Sequence, residues 1–216
     1  MSGIEIKKIG ITRVAADAIV NAANDGLWAG GGVCGVIFED AGYDELTEAC
    51  DKIGGCKTGS AVITPGFKLP AKYIIHAVGP VWCGGDNNEP QLLYSAYEKS
   101  LMLAKENDCR SIAFPLISAG IFGYPVNQAW RKALQSNISM NPSEKLDGTI
   151  EDSKYYPKGL RESGKDNKEA VVNNQGTGLS AFGDVNTGFY APTVKTIYVD
   201  RDVDYVVSYA LKGGDV

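Results

Sequence analysis

The sequence predicts a single α/β layered domain with a largely parallel sheet. Apolar, strand-like runs alternate with segments of helical periodicity along most of the chain, which is typical of layered α/β proteins. The order strand, glycine loop, helix occurs twice, around residues 30–32 and around residues 120–123. The 216 residues are 44% hydrophobic and 22% charged, as in ordinary globular domains that bury a core. This composition excludes a globally disordered chain.

The first half of the chain contains four predicted strands and two predicted helices. Isoleucine recurs at almost every second position over residues 4–11, which predicts a half-buried strand. Residues 18–20 form a short continuous apolar run, as in a strand buried on both faces. A helix is predicted from Val33 to Ala41, because Gly42 supplies a stop signal. The remaining predictions are a helix at residues 43–52 and strands at residues 60–64 and 72–78.

The second half of the chain repeats the alternation and then changes texture. Apolar residues recur every three to four positions over residues 90–107, which predicts a long amphipathic helix. A buried strand at residues 111–116 leads into the second glycine loop, and Pro125 suits the first turn of the next helix. Residues 137–192 lack clear periodicity and are predicted to be an insertion within one domain, residues 1–216. A last strand and a last helix are predicted at residues 194–199 and 202–212.

The two glycine loops indicate an anion site. Glycine makes up 26 of the 216 residues, about 12% against a usual value of about 7%. In open α/β sheets, ligands bind beyond the carboxyl ends of the strands, where loop amides and helix N-termini meet them. Glycine lets the backbone approach an oxyanion closely, so a diphosphate fits this pattern. Neither GxxxxGK[ST] nor GxGxxG is present, and loops that only form tight turns are the alternative.

Charge and the scarcity of metal ligands argue against several functions. With 21 Lys and Arg against 26 Asp and Glu, the net charge of −5 disfavours general binding to nucleic acids or membranes. No apolar run reaches the roughly 18 residues of a membrane span, and the first residues lack the apolar core of a signal peptide. A cytoplasmic protein with free thiols is therefore expected. The five cysteines form no CxxC pair and His76 is the single histidine, so neither a metal nor a cofactor is expected.

Four sequence blocks together resemble the macrodomain signature. They are Asp-Ala-Ile-Val-Asn-Ala-Ala-Asn at residues 17–24, Gly-Gly-Gly-Val at 30–33, Leu-Pro-Ala-Lys-Tyr-Ile-Ile-His-Ala-Val-Gly-Pro at 69–80 and Ser-Ile-Ala-Phe-Pro-Leu-Ile-Ser-Ala-Gly-Ile-Phe-Gly-Tyr-Pro at 111–125. The resemblance covers roughly residues 4–136 in the order of the family, in its bacterial-type form. It implies a three-layer α/β/α fold with a mixed, mostly parallel sheet of about six strands. It also implies an ADP-ribose cleft at the strand ends.

The resemblance further implies which residues bind the ligand. Asn24 is expected to hydrogen-bond the distal ribose, and the Phe122 ring is expected to pack against the same sugar. Backbone amides of the two glycine loops are expected to bracket the diphosphate. The candidate catalytic residues are Asn24, Gly32 and Phe122. The candidate ligand-binding residues are Ile11, Asn24, Gly31, Gly32, Val33, Ser118, Ala119, Gly120, Ile121 and Phe122.

Three positions depart from the pattern of the family. Gly10 stands where members often have the aspartate that binds the adenine amino group. Cys34 stands where the best-known hydrolase branch has an acidic residue near the distal ribose, so the usual acid/base candidate is missing. Phe38 stands where that branch often has histidine. Cys34 itself is either a thiolate favoured by the start of a helix or a small packed residue.

Three functions remain open at this point. The favoured one is an ADP-ribosyl hydrolase that cleaves mono-ADP-ribosyl or O-acetyl-ADP-ribose linkages by substrate-assisted attack of water. The alternative is a reader module that binds ADP-ribose or an ADP-ribosylated macromolecule without turnover. A structural protein whose insertion, residues 137–192, contacts a partner is the third.

Overall fold

The chain folds into one sheet with helices packed against both of its faces. The computed structural model describes residues 4–140 and 205–210. Its strands are β1 (Ile4–Lys8), β2 (Ala18–Ala22), β3 (Ser60–Pro65), β4 (Tyr73–Val78), β5 (Ser111–Phe114) and β6 (Tyr205–Ala210). Its helices are α1 (Val33–Ala41), α2 (Tyr43–Ile53), α3 (Glu89–Glu106) and α4 (Val126–Met140), and a short 3₁₀ helix spans Ile11–Arg13.

The sheet is mixed, with its parallel pairs at the centre. In the described residues the strand order is β1-β6-β5-β2-β4-β3. β2 pairs in parallel with β4 and with β5, whereas β3 and β6 pair antiparallel with their neighbours. β1, β2, β4 and β5 therefore run in one direction, and the carboxyl ends of β2, β4 and β5 meet at one edge. The loops that follow these strands are brought together there.

Alternation of side chains along the strands divides the core into two halves. Ile75 of β4 contacts the half that holds α3 and α4, whereas its neighbour Ile74 lies in the half that holds α1 and α2. Tyr97 of α3 and Trp130 of α4 are fully buried in the first half, and Phe38 of α1 is buried in the second. These two cores confirm the predicted α/β/α fold class with a mixed sheet.

The first two helices occupy the predicted positions because each of them ends at a glycine. Gly42 ends α1 and precedes α2 with φ of +102°, a backbone conformation that residues with a Cβ rarely adopt. α2 ends at Gly54 in the left-handed conformation, where the glycine N–H donates to the Cys50 carbonyl. Local chemistry alone therefore places α1 and α2.

None of the described helices is long and apolar enough to cross a membrane.

The predicted helix over residues 202–212 is wrong in its described part, because Tyr205–Ala210 is strand β6. The spacing of apolar residues there also suits a helix, but tyrosine and valine favour extended backbone. Pairing on both sides, with β1 and with β5, decides between the two. The first predicted strand is also shorter than expected and ends at Lys8, and the strand predicted to reach residue 116 ends at Phe114.

Two predictions lie partly or wholly outside the described residues. α4 continues to Met140, four residues into the segment that is predicted to be an insertion, residues 137–192. The rest of that insertion and the strand predicted at residues 194–199 lie outside the described residues. The assignment of residues 1–216 to one domain with an insertion stays a prediction.

Candidate functional site

A cavity of about 350 Å³ lies at the carboxyl ends of the parallel strands. It is bounded by the first loop, residues 23–32 between β2 and α1, and by the second loop, residues 115–125 between β5 and α4. We call this cavity the two-loop cleft. Its lining residues are Ala22, Ala23, Asn24, Trp28, Gly30, Gly31, Gly32, Val33, Cys34, Gly79, Pro115, Leu116, Ile117, Ser118, Gly120, Ile121 and Phe122. All of these side chains are uncharged, so in the described part of the chain only dipoles and apolar groups face the cleft.

The Asn24 side chain holds the first loop in shape. Its Oδ1 accepts from the backbone N–H of Trp28 at 3.1 Å, and its Nδ2 donates to the Trp28 carbonyl at 2.8 Å. A side-chain amide has two N–H donors and an oxygen with two lone pairs. One further donor and one further lone pair on Asn24 are thus available to a sugar hydroxyl in the cleft.

The first loop ends at Gly32, whose backbone conformation is one that only glycine adopts readily. Gly32 precedes α1 with φ of +62° and ψ of −142°, and its carbonyl accepts from the N–H of Val36 at 3.3 Å. Gly32 and Val33 both line the cleft. The first-turn amides of a helix lack intrahelical partners and carry the positive end of the helix dipole. The start of α1 therefore presents an anion-binding surface to the cleft.

The second loop is held by a fully buried tyrosine of α3. The Tyr97 hydroxyl accepts from the N–H of Ile117 at 3.0 Å and lies 3.4 Å from the Pro115 carbonyl, to which it donates. Burial raises the pKa of Tyr97 above its usual range, so the hydroxyl keeps the proton it donates. The loop also closes on itself, since the Tyr124 N–H donates to the Ser118 carbonyl at 3.0 Å.

Ser118 combines an unusual backbone with a buried hydroxyl. Its φ is +65°, which is uncommon for a residue other than glycine, and its side chain is 5% exposed. The Ser118 Oγ has no hydrogen-bond partner among the described residues, although Ser118 lines the cleft. Buried hydroxyls are nearly always paired. The orphaned Oγ is therefore an exception, and it is buried against Gly79 rather than exposed to the cleft.

A chain of buried polar groups runs from the cleft into the core. Cys34 at the start of α1 accepts through its Sγ from the Gly30 N–H at 3.4 Å and from the Asn21 Nδ2 at 3.5 Å. The Asn21 Nδ2 also donates to the Nδ1 of His76 at 3.1 Å. The Nε2 of His76 then lies 2.9 Å from the Thr64 Oγ1. Because Nδ1 accepts, His76 carries its proton on Nε2 and donates it to Thr64.

The two titratable groups of this buried hydrogen-bonded network, His76 and Cys34, are held in their neutral forms. Burial lowers the pKa of His76 from the usual 6.5 to about 4. Burial also raises the pKa of the Cys34 thiol, and the hydrogen bonds from Gly30 and Asn21 only partly oppose it. Of the two sequence-based views of Cys34, the geometry favours the packed neutral thiol. A neutral thiol does not replace the carboxylate that could act as a general base.

Most of the predicted site residues come together in the cleft. Asn24, Gly31, Gly32, Val33, Ser118, Gly120, Ile121 and Phe122 all line it. Ala119 is fully buried, Ile11 is 2% exposed in the 3₁₀ helix, and neither is among the lining residues. What each residue does to a ligand stays a prediction.

Sequence reasoning missed several lining residues. Trp28 and Gly79 are the most informative of them, and each had a signal in the sequence. Trp28 is an aromatic residue between two glycines of the first loop, and Gly79 follows β4, whose carboxyl end lies at the same edge as those of β2 and β5. The other missed residues are Ala22, Ala23, Pro115, Leu116 and Ile117, whereas Gly30 and Cys34 were placed near the site without being named as candidate ligand-binding residues.

Metal-binding potential is low in the part of the chain that the structure describes. Residues 4–140 and 205–210 contain no group of three or more His, Cys, Asp or Glu side chains that could hold a metal ion.

Comparisons with known proteins converge on one family. The family model described as Macro domain matches residues 20–133. A macro domain-containing protein of Chlorobaculum tepidum is 54% identical over 138 residues, which cover 64% of this chain and 80% of that protein. A protein of Salmonella typhimurium named O-acetyl-ADP-ribose deacetylase is 50% identical over 139 residues, which cover 62% of this chain and 77% of that protein.

A solved structure shows the same fold with a ligand. The Trypanosoma brucei macrodomain in complex with ADP-ribose matches with a TM-score of 0.58 and 40% sequence identity. The match covers 63% of this chain and 56% of that one. The family-model match, residues 20–133, spans both loops of the cleft.

Proposed function

This chain belongs to the macro domain family, and we propose that its two-loop cleft binds ADP-ribose and that the protein hydrolyses a bond at the distal ribose. The observation that carries the proposal is the juxtaposition of the start of α1 with the second loop around an uncharged cavity. A diphosphate between them receives hydrogen bonds from backbone amides, so its binding needs no lysine or arginine. Structures of related macrodomains with ADP or ADP-ribose support the same ligand class.

The proposed reaction is cleavage of an O-acetyl ester or of a mono-ADP-ribosyl linkage. For the ester, the oxygen of one water attacks the acetyl carbon and the bond to the ribose oxygen breaks. The water proton passes through a diphosphate oxygen to the leaving ribose oxygen, which yields acetate and ADP-ribose. Asn24 orients the ribose, Phe122 covers it, and Gly32 keeps the diphosphate close to the backbone. The name of the Salmonella relative supports the ester as substrate.

The alternative is a reader that binds ADP-ribose without turnover. The observation in its favour is Cys34, a residue that is 4% exposed and whose thiol has a raised pKa because it is buried. Cleavage in this cleft must then rely on the substrate's own diphosphate as proton carrier. A slow enzyme and a pure reader differ only in whether that route is used.

Binding is tested with Gly32→Glu. Titration calorimetry with ADP-ribose should show binding to the wild type and a loss of at least about tenfold in the variant, because a carboxylate enters the diphosphate position. Gly32→Ala is the matched control, since it brings the same backbone strain at positive φ without the charge. If a folded Gly32→Glu protein bound as tightly as Gly32→Ala, the placement of the diphosphate would be wrong.

Turnover is tested with Cys34→Asp. We expect the wild type to release acetate from O-acetyl-ADP-ribose slowly and Cys34→Asp to release it faster, because the variant supplies a carboxylate beside the ribose. Cys34→Asn is the control of similar size without a charge. A wild type that binds ADP-ribose but cleaves neither the ester nor a mono-ADP-ribosylated protein would establish the reader.

A further inference from the structure

Trp28 is an exposed aromatic residue at the mouth of the two-loop cleft. The residue is 62% exposed, more than any other large hydrophobic residue in the described part of the chain, and it lines the cleft. Ile121 of the second loop is 50% exposed and also lines the cleft. Exposed apolar groups at the mouth of a binding cavity mark a surface that a bound partner can cover.

Trp28 is held in place on both its backbone and its ring. Asn24 bonds its N–H and its carbonyl, and the Cys34 thiol lies 3.8 Å from the same carbonyl. The indole ring lies over Gly26, where a Cβ atom would come within 1.6 Å of the ring atom Cζ3. The ring is thus pre-positioned, which lowers the entropy lost when a partner covers it.

The position of Trp28 determines what it can meet. A cavity of about 350 Å³ accepts a small molecule, but a macromolecule attached to that molecule must extend from the mouth. The Trp28 backbone is hydrogen-bonded to the side chain of Asn24, the residue proposed to hold the distal ribose. A group linked to that ribose therefore leaves the cleft beside the indole ring.

Charge decides which macromolecule suits this mouth. The net charge of −5 gives the extended backbone of a nucleic acid no overall electrostatic attraction, and the residues that line the cleft add no cationic side chain. A polypeptide brings apolar side chains and peptide groups, which pack well on an indole ring. We propose that Trp28 binds the polypeptide acceptor of an ADP-ribosylated protein at the mouth of the cleft. This inference rests on the proposed function and deepens it by naming the acceptor class.

The test compares three ligands with the full chain. They are free ADP-ribose, a peptide that carries ADP-ribose through a linkage inert to hydrolysis, and an oligonucleotide that carries it in the same way. For the wild type, we expect tighter binding of the peptide conjugate than of free ADP-ribose. Trp28→Ala should weaken binding of the peptide conjugate about ten times more than it weakens binding of free ADP-ribose. A difference of this size is expected for an aromatic hot spot. The variant keeps the loop hydrogen bonds, because these use the Trp28 backbone.

A second variant displaces the ring without removing it. Gly26→Ala places a methyl group where the ring lies, and Gly26 is not among the residues with positive φ, so the loop backbone accepts alanine. It should reproduce the selective loss seen with Trp28→Ala. Met102→Ala, which removes an exposed side chain of α3 outside the cleft, should change no affinity.

The outcomes separate this inference from the proposed function. Equal losses for ADP-ribose and for the peptide conjugate would make Trp28 part of the ADP-ribose site and overturn the inference. No loss for either ligand would overturn it too, as would a larger selective loss for the oligonucleotide conjugate, which would point to a nucleic-acid acceptor. Failure of the wild type to bind free ADP-ribose would instead contradict the proposed function.

Discussion

At the scale of single residues, Ser118 is the clearest conflict between stability and function. It holds a left-handed backbone that costs a residue with a Cβ roughly 1 kcal/mol, and it buries a hydroxyl without a partner among the described residues. Its Oγ also faces Gly79, where a Cβ would come within 2.1 Å of it. Strain of this kind persists where a site requires it. Ser118 therefore destabilises the protein in a loop that lines the cleft.

Ser118→Gly should stabilise the protein without ligand. Glycine accepts the positive φ and removes the orphaned hydroxyl, and these gains exceed the roughly 0.5–1 kcal/mol of extra chain entropy that glycine loses on folding. The expected increase in melting temperature is about 2–4 °C, measured by calorimetry. Ser118→Ala, which keeps the backbone strain, should give a smaller increase. A lower melting temperature in Ser118→Gly would show that the hydroxyl already has a stabilising partner.

At the scale of elements, the loop between β4 and α3 supports the second loop. The Trp82 N–H donates to the Phe122 carbonyl at 2.8 Å, and the Trp82 ring packs edge-on against Tyr124 at 4.7 Å. Glu89, 2% exposed at the start of α3, accepts from the backbone N–H groups of Cys83, Gly85 and Asn87. Burial alone would raise the pKa of Glu89, but the backbone hydrogen bonds outweigh it and lower the pKa. One carboxylate thus orders a loop that contacts the cleft.

Glu89→Gln should loosen this loop. Glutamine keeps one acceptor oxygen and places an NH₂ group against a backbone N–H, so at least one of the three hydrogen bonds is lost. Hydrogen exchange at the amides of Cys83, Gly85 and Asn87 should become faster, and exchange at Trp82 should follow. Glu106→Gln, at the exposed end of α3, is the matched control. Unchanged exchange at all three amides in Glu89→Gln would contradict the role of the carboxylate.

The helices and strands also show where local sequence suffices. α1 could be predicted at both ends because Gly32 and Gly42 have backbone conformations that favour glycine. β6 could not, because its apolar spacing suits two structures and the choice depends on pairing with β1 and β5, which are remote in sequence. The side chains that line the cleft were predictable where a motif named them. The exposure of Trp28 at the mouth was not predictable, since it depends on how the first loop folds back on Asn24.

At the scale of the whole molecule, the buried His76 couples global stability to pH. It lies on β4, beside the edge strand β3 of the described sheet, where it forms hydrogen bonds with Asn21 and Thr64 and where burial keeps it neutral. The folded pKa of about 4 lies below the usual 6.5, so at acidic pH the unfolded chain binds a proton that the folded chain does not. Stability is therefore retained above pH 6.5 and lost as the pH falls towards 4.

The unfolding free energy of the wild type should fall by about 2–3 kcal/mol between pH 6.5 and 4.5, measured by urea denaturation. Asp17 and Glu89, whose pKa values are lowered in the folded protein, add to this loss only towards the lower end of the window, where the unfolded chain begins to protonate these carboxyls. His76→Gln should be less stable at pH 7 but should show a much shallower slope in the same window. An equal slope in both proteins would assign the pH dependence to other groups.

The sequence by itself determined the fold class, the two loops and eight of the 17 residues that line the cleft. These features are local, because glycine at a positive φ and apolar periodicity act over a few neighbouring residues. Only the tertiary structure decided that β6 lies between β1 and β5, that the Cys34 thiol is neutral, and that Trp28 stands at the mouth of the cleft. Each of these three features depends on burial or on contacts with residues distant along the chain. Neither burial nor such contacts exist before the chain has folded.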